Sequence, residues 1–228
     1  MSDEKRVMLV GATGLVGRQV MAQCVGRRDI RLLALSRREV PIPKGARMEV
    51  LVADPSDWER AIAAIAPDYV ICALGTTIAK MGGNQSAFAA VDRDLVLALA
   101  GYAKVAGVQH FAIVSSVGAD RVAKNFYLRT KGEMEHALAR VGFSRLDILR
   151  PGMLRGPRVD DRRLLEKLGM FAAPLLDLFL HGQRRKYRSV RAEVVADAAL
   201  QAVSEKASGK FVHHFDDIQR LNARFHRS

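Results

Sequence analysis

A short apolar run, Val7–Val10, leads without a break into Gly11-Ala12-Thr13-Gly14-Leu15-Val16-Gly17, and Leu15–Val25 then reads as a helix ended by Gly26. A glycine turn between a strand and a helix lets the backbone approach a pyrophosphate closely, and the helix start offers free N–H groups and a positive dipole end. The spacing is G-x-x-G-x-x-G, a departure from the commoner G-x-G-x-x-G. The physical needs are the same: a tight turn, close backbone approach and close helix–strand packing. No Gly-Lys-Ser/Thr follows, which excludes an NTPase phosphate loop. The implied ligand is a dinucleotide held by Gly11, Thr13, Gly14, Leu15, Val16 and Gly17.

Beyond this loop the chain repeats one rhythm. Strands are expected at Ile30–Leu35, Met48–Val52, Tyr69–Leu74, Phe111–Val114, Leu146–Leu149 and Lys210–His213. Helices are expected over Asp57–Ala66, Ser86–Ala106, Asn125–Val141 and Ala192–Ser204. Apolar strands alternating with helices predict an α/β fold with a parallel sheet covered on both faces. The 228 residues suit a single domain, 1–228, and 49% hydrophobic residues exclude a disordered chain. Past Pro151 the rhythm breaks, and 151–191 reads as a basic, irregular substrate-side region.

The end of the second strand bears on which dinucleotide is bound. About 20 residues past the glycines, an acid suits the ribose 2′-OH of NAD and an arginine suits the 2′-phosphate of NADP. Ser36, Arg37 and Arg38 stand there, so NADP is favoured over NAD; Glu39 keeps the ribose alternative open. Asp54 is a candidate adenine contact, or else an Asx-turn residue before Pro55.

Tyr127 and Lys131 are four apart on an expected helix and so share a face. An ammonium beside a phenol favours the phenolate, which suits a general acid/base. Eleven residues before Tyr127, a strand ends in Ser115-Ser116, where a hydroxyl can bond a carbonyl. Alone, either motif reads as a helix surface or a turn; their order behind a glycine loop gives them meaning.

These residues, with Ala73-Leu74-Gly75-Thr76-Thr77, Val91-Asp92, His110–Asp120, Gly132-Glu133 and Leu149-Arg150-Pro151-Gly152, resemble an atypical or extended short-chain dehydrogenase/reductase. They are similar to the Tat-interacting-protein-type oxidoreductases and their bacterial relatives, over about residues 5–158. The resemblance implies a Rossmann-type doubly wound parallel sheet with a small C-terminal substrate-side extension. It implies Tyr127 as catalytic acid/base, Lys131 as its partner and nicotinamide-ribose ligand, and Ser116 as the catalytic serine, with Ser115 the fallback and a cofactor neighbour. Leu74, Gly75 and Thr76 match the loop passing the cofactor's ribose and pyrophosphate, and Pro151 and Gly152 the segment beside the nicotinamide. The implied activity is hydride transfer to or from a carbonyl or alcohol. A non-catalytic NADPH sensor on the same fold is the alternative. The short Ser-to-Tyr interval leaves room only for a compact substrate loop and argues against sugar-nucleotide chemistry.

The net charge of +12 admits a nucleic acid, an anionic surface or an anionic small molecule. Residues 145–191 hold twelve Lys or Arg against five acids, an excess of seven. The run is read as a solvated face or as the seat of an anionic substrate. Few aromatics accompany it, so nucleic acid is disfavoured. A homodimer is compatible with the sequence. His213-His214-Phe215-Asp216-Asp217 lacks a metal-ligand spacing, and no metal is expected. Met170–Leu180 is too short to span a membrane. Two cysteines, Cys24 and Cys72, and an N-terminus unlike a signal peptide predict a reducing, cytoplasmic setting.

Overall fold

A computed structural model describes residues 4–156, 177 and 180–227. Seven parallel strands form the central sheet: β1 (Lys5–Val10), β2 (Ile30–Ser36), β3 (Met48–Val52), β4 (Tyr69–Cys72), β5 (His110–Val114), β6 (Arg145–Leu149) and β9 (Gly209–His213), in the order β3-β2-β1-β4-β5-β6-β9. Two short strands, β7 (Leu154–Arg155) and β8 (Val190–Arg191), pair apart from it. Among the described residues the α-helices are α1 (Leu15–Gln23), α2 (Trp58–Ile65), α3 (Gln85–Ala89), α4 (Leu95–Val105), α5 (Phe126–Leu138), α6 (Ala192–Ala202) and α7 (Phe215–Phe225).

The apolar runs are buried on both faces because successive strand side chains point to opposite sides. In β1, Val7 and Leu9 pack with Val16 and Val20 of α1 and Val195 and Ala199 of α6. Met8 and Val10 face the other way, onto Trp58 and Ile62 of α2, Leu99 of α4 and Met134 of α5. The chain steps outward from β1 to β3, then crosses back to β4 on the other side of β1. That reversal opens a crevice at the C-terminal ends of the strands, where ligands bind in open α/β sheets. The loops holding Gly11–Gly17, Arg37-Arg38, Leu74–Thr76, Ser115-Ser116 and Pro151-Gly152 all leave those ends.

Three elements differ from the sequence expectation. The helix expected over Ser86–Ala106 is broken by a π-helical turn, Ala90–Asp94, between α3 and α4. Asn84 caps its start, its side chain accepting from the Ala87 N–H at 3.0 Å. A π turn shifts the register of the side chains that follow it. Here it contains Asp92, which is fully buried. The strand expected over Tyr69–Leu74 ends at Cys72, which frees Leu74 for the loop. Helix α7, which sequence reading did not find, buries Ile218, Leu221 and Phe225, an i, i+3, i+7 stripe. The residues weighed for a metal run from the end of β9 into its first turn: His213 bonds Asp147, and the N–H of His214, the N-cap, donates to Asp217 at 3.1 Å. Most of Met170–Leu180 lies outside the described residues.

Candidate active site

The glycine loop is shaped by contact. A Cβ on Gly11, whose φ is +94°, would sit 2.5 Å from the Ala73 backbone. One on Gly17 would sit 2.2 Å from the Gly11 carbonyl oxygen. Only glycine lets β1, α1 and the loop after β4 meet this closely. Gly14 occupies the N-cap of α1 and brings no side-chain cap, and no acid lies in the first turn. The helix start is therefore left with unsatisfied N–H groups and a positive end, suited to a pyrophosphate. Arg18 Nε donates to the Thr13 carbonyl at 2.9 Å and steadies the loop.

A cavity of about 320 Å³ continues from this loop. Gly11 and Thr13 line one side, Ser36, Arg37 and Arg38 another, and Trp58 and Leu74 complete it. Arg37 and Arg38 are exposed, and Ser36 is buried. Trp58 is buried with its indole N–H on the Ala53 carbonyl at 3.1 Å, so an aromatic wall stands beside two guanidinium groups. Sequence reading missed Trp58, which it took only as part of a helix. Asp54 is not among the lining residues; its side chain accepts from the Ser56 N–H at 3.2 Å, the Asx-turn alternative. The glycine cradle, free helix start and basic rim together fit an adenine dinucleotide.

On the other side of the crevice, Tyr127, Lys131 and Glu135 form one stripe along α5. Asn125 caps this helix, accepting from the Leu128 N–H at 3.1 Å. The half-buried Tyr127 ring packs 5.5 Å from that of Phe88. Lys131 is buried, with its ammonium 2.7 Å from Asp92 Oδ1. Asp92 Oδ2 accepts from the Thr76 N–H at 2.8 Å, so one carboxylate ties the lysine to the Leu74–Thr76 loop. Gly75 is exposed in that loop.

The two serines part company. Ser115 is buried and donates its hydroxyl to Glu135, while Ser116 is half-exposed, with its hydroxyl 3.3 Å from the Val117 carbonyl. The Val117 N–H donates to the Pro151 carbonyl at 2.9 Å, which sets Ser116 beside Pro151-Gly152. Glu135 also pairs with Arg150.

Much of the basic run is spent within the fold. Arg145 Nε lies 2.7 Å from Asp147 Oδ2, Arg150 holds Glu135, and Arg185 lies 2.7 Å from Asp216. Among the described residues no helix is long and apolar enough to cross a membrane. Burial pushes the thiols of Cys24 and Cys72 up to about 12, which leaves them inert.

Residues 11–206 match the model of a family described as NAD(P)H-binding. The chain is 31% identical over 212 residues to "Protein fmp52, mitochondrial" of Emericella nidulans, covering 90% of this chain and 89% of that protein. It is 35% identical over 165 residues to Protein HTATIP2 of Rattus norvegicus, covering 70% of this chain and 67% of that protein. The fold is similar to that of the Bordetella bronchiseptica enzyme WbmH in complex with NAD+, with a TM-score of 0.68 at 15% identity over 92% of this chain and 75% of that one. The cytoplasmic expectation is corrected by the fungal relatives, which are named mitochondrial proteins. Scarce cysteines mark a reducing setting, and a reducing setting is not peculiar to the cytoplasm.

Proposed function

The chain belongs to the NAD(P)H-binding family, and on that premise we propose that it is an NADP-dependent oxidoreductase of the short-chain dehydrogenase/reductase type, acting on a carbonyl or alcohol. The observation that carries the reading is the Tyr127–Lys131 stripe facing the same crevice as the glycine loop. Arg37, Arg38 and Ser36 at the rim favour a 2′-phosphate over a bare ribose. Gly11–Gly17 and Leu74–Thr76 would hold the pyrophosphate and ribose, and Pro151-Gly152 would border the nicotinamide. Bound NADPH supplies the hydride.

The remaining chemistry belongs to the chain. Ser116 donates a hydrogen bond to the carbonyl oxygen and orients it. Tyr127 gives its phenolic proton to that oxygen as charge develops there. Lys131, held in an ion pair with Asp92, has three N–H donors, which serve a ribose hydroxyl and the tyrosine side of the crevice. The backbone of Tyr187 and Arg188 lies against Gly152, and the basic charge of this stretch supports an anionic substrate. The test is cofactor turnover against a panel of carbonyl compounds, with NADPH and with NADH. Carbonyl-dependent oxidation of NADPH is expected. Tight NADPH binding with no turnover across the panel would instead identify a cofactor sensor.

A further inference from the structure

We propose that Glu135 is a positioning residue that sets the catalytic serine against the nicotinamide seat; the inference rests on the oxidoreductase reading and extends it. Glu135 is buried on α5, one turn beyond Lys131 on the same stripe. Its carboxylate accepts from the Ser115 hydroxyl and from Arg150 Nε, at 3.0 Å to Oε1 and 3.1 Å to Oε2. Three elements therefore converge on one side chain: the end of β5, the end of β6 and the C-terminal part of α5.

Backbone bonds carry that convergence to the site. The Ser115 N–H donates to the Leu149 carbonyl at 2.7 Å, and the Val117 N–H to the Pro151 carbonyl at 2.9 Å. Ser116 lies between these two rungs. Arg150, held by Glu135, is the residue before Pro151, and its own N–H donates to the His213 carbonyl at 2.8 Å. A shift at Glu135 thus moves Ser116 and Pro151-Gly152 relative to each other. That displacement is the kind that slows a reaction without weakening the binding of the rest of the cofactor. The adenine half would sit across the sheet, in the cavity lined by Trp58 and Arg37, which shares none of these contacts.

The test uses the full chain with Ser115→Ala, Glu135→Gln and their double variant, and Tyr127→Phe as the reference. Two readouts are taken: kcat with KM on a carbonyl that the native protein reduces, and the fluorescence emission of bound NADPH, which reports the nicotinamide surroundings without turnover. Ser115→Ala removes only the hydroxyl and leaves the Glu135–Arg150 pair, so folding survives. Each single variant is expected to lose about ten-fold in kcat, with NADPH Kd within about two-fold. The double variant is expected to lose no more than the worse single one, because both break the same tether. Bound-NADPH emission should shift towards that of free NADPH in both. Unchanged emission with unchanged kcat, beside a lowered Tm, overturns the proposal and leaves the cluster as a fold clip. Loss of activity in Tyr127→Phe alone locates that failure in the Glu135 inference. A native protein without turnover sinks the oxidoreductase reading, while the emission comparison still decides the role of Glu135.

Discussion

The Lys131 ammonium lies 2.7 Å from Asp92 Oδ1, with 4% and 1% of the two side chains exposed. Two charges are thus removed from water beside the Leu74–Thr76 loop, and each depends on the other. Breaking a buried pair by deleting one partner costs far more than the pair contributes on balance. Asp92→Ala should lower the unfolding free energy by about 3–5 kcal/mol, measured by denaturant titration. Replacing both, Lys131→Met with Asp92→Leu, should recover most of that stability and none of the activity. Equal stability of Asp92→Ala and native protein would mean that the pair is not buried as described.

The basic rim of the 320 Å³ cavity makes a separable prediction. A charge-assisted hydrogen bond contributes about 1.5–3 kcal/mol, so Arg37→Ala or Arg38→Ala should weaken NADPH about 10- to 100-fold. NADH has no 2′-phosphate, and its Kd should stay within about two-fold. Calorimetric titration of both cofactors reads this directly. Equal losses for the two would remove the 2′-phosphate assignment.

Two imidazoles set a pH dependence. Burial, and then Arg145, lowers the pKa of His110 below 6.5; burial, and then Arg150 and Lys186, does the same for His214. A histidine whose folded pKa is depressed favours the fold when neutral. Its contribution is complete above the unfolded value and is lost as pH falls from 6.5 through the folded value. The Tm should therefore decline below pH 6.5, and less steeply in His110→Gln. A Tm that holds level or rises on acidification through this range would contradict the burial of both rings.

What the sequence disclosed, and what it hid, divides along a physical line. The glycine loop and the Tyr127–Lys131 pair are local: turn chemistry and i,i+4 spacing suffice to read them. Their partners are not local. Glu135 meets Ser115 from 20 residues away, and Asp92 meets Lys131 from within a π turn that spacing alone does not disclose. Trp58 read as one apolar position among many, since nothing in sequence places it opposite Arg37. Helix α7 was legible in the spacing of Ile218, Leu221 and Phe225, a stripe that the sequence reading passed over. The charge of the 145–191 run was visible, while its pairing with Asp147, Glu135 and Asp216 required the fold. The compartment was beyond any of these signals, and the cytoplasmic expectation met its correction in the relatives' names.

The central claim is that Tyr127 delivers the proton in a reaction driven by NADPH. The direct test compares native protein with Tyr127→Phe for NADPH binding and for carbonyl-dependent NADPH oxidation in the same preparation. Removing one hydroxyl should lower kcat by about 10²–10⁴ while NADPH Kd stays within about two-fold. A Tyr127→Phe variant that turns over as fast as the native protein would contradict the account.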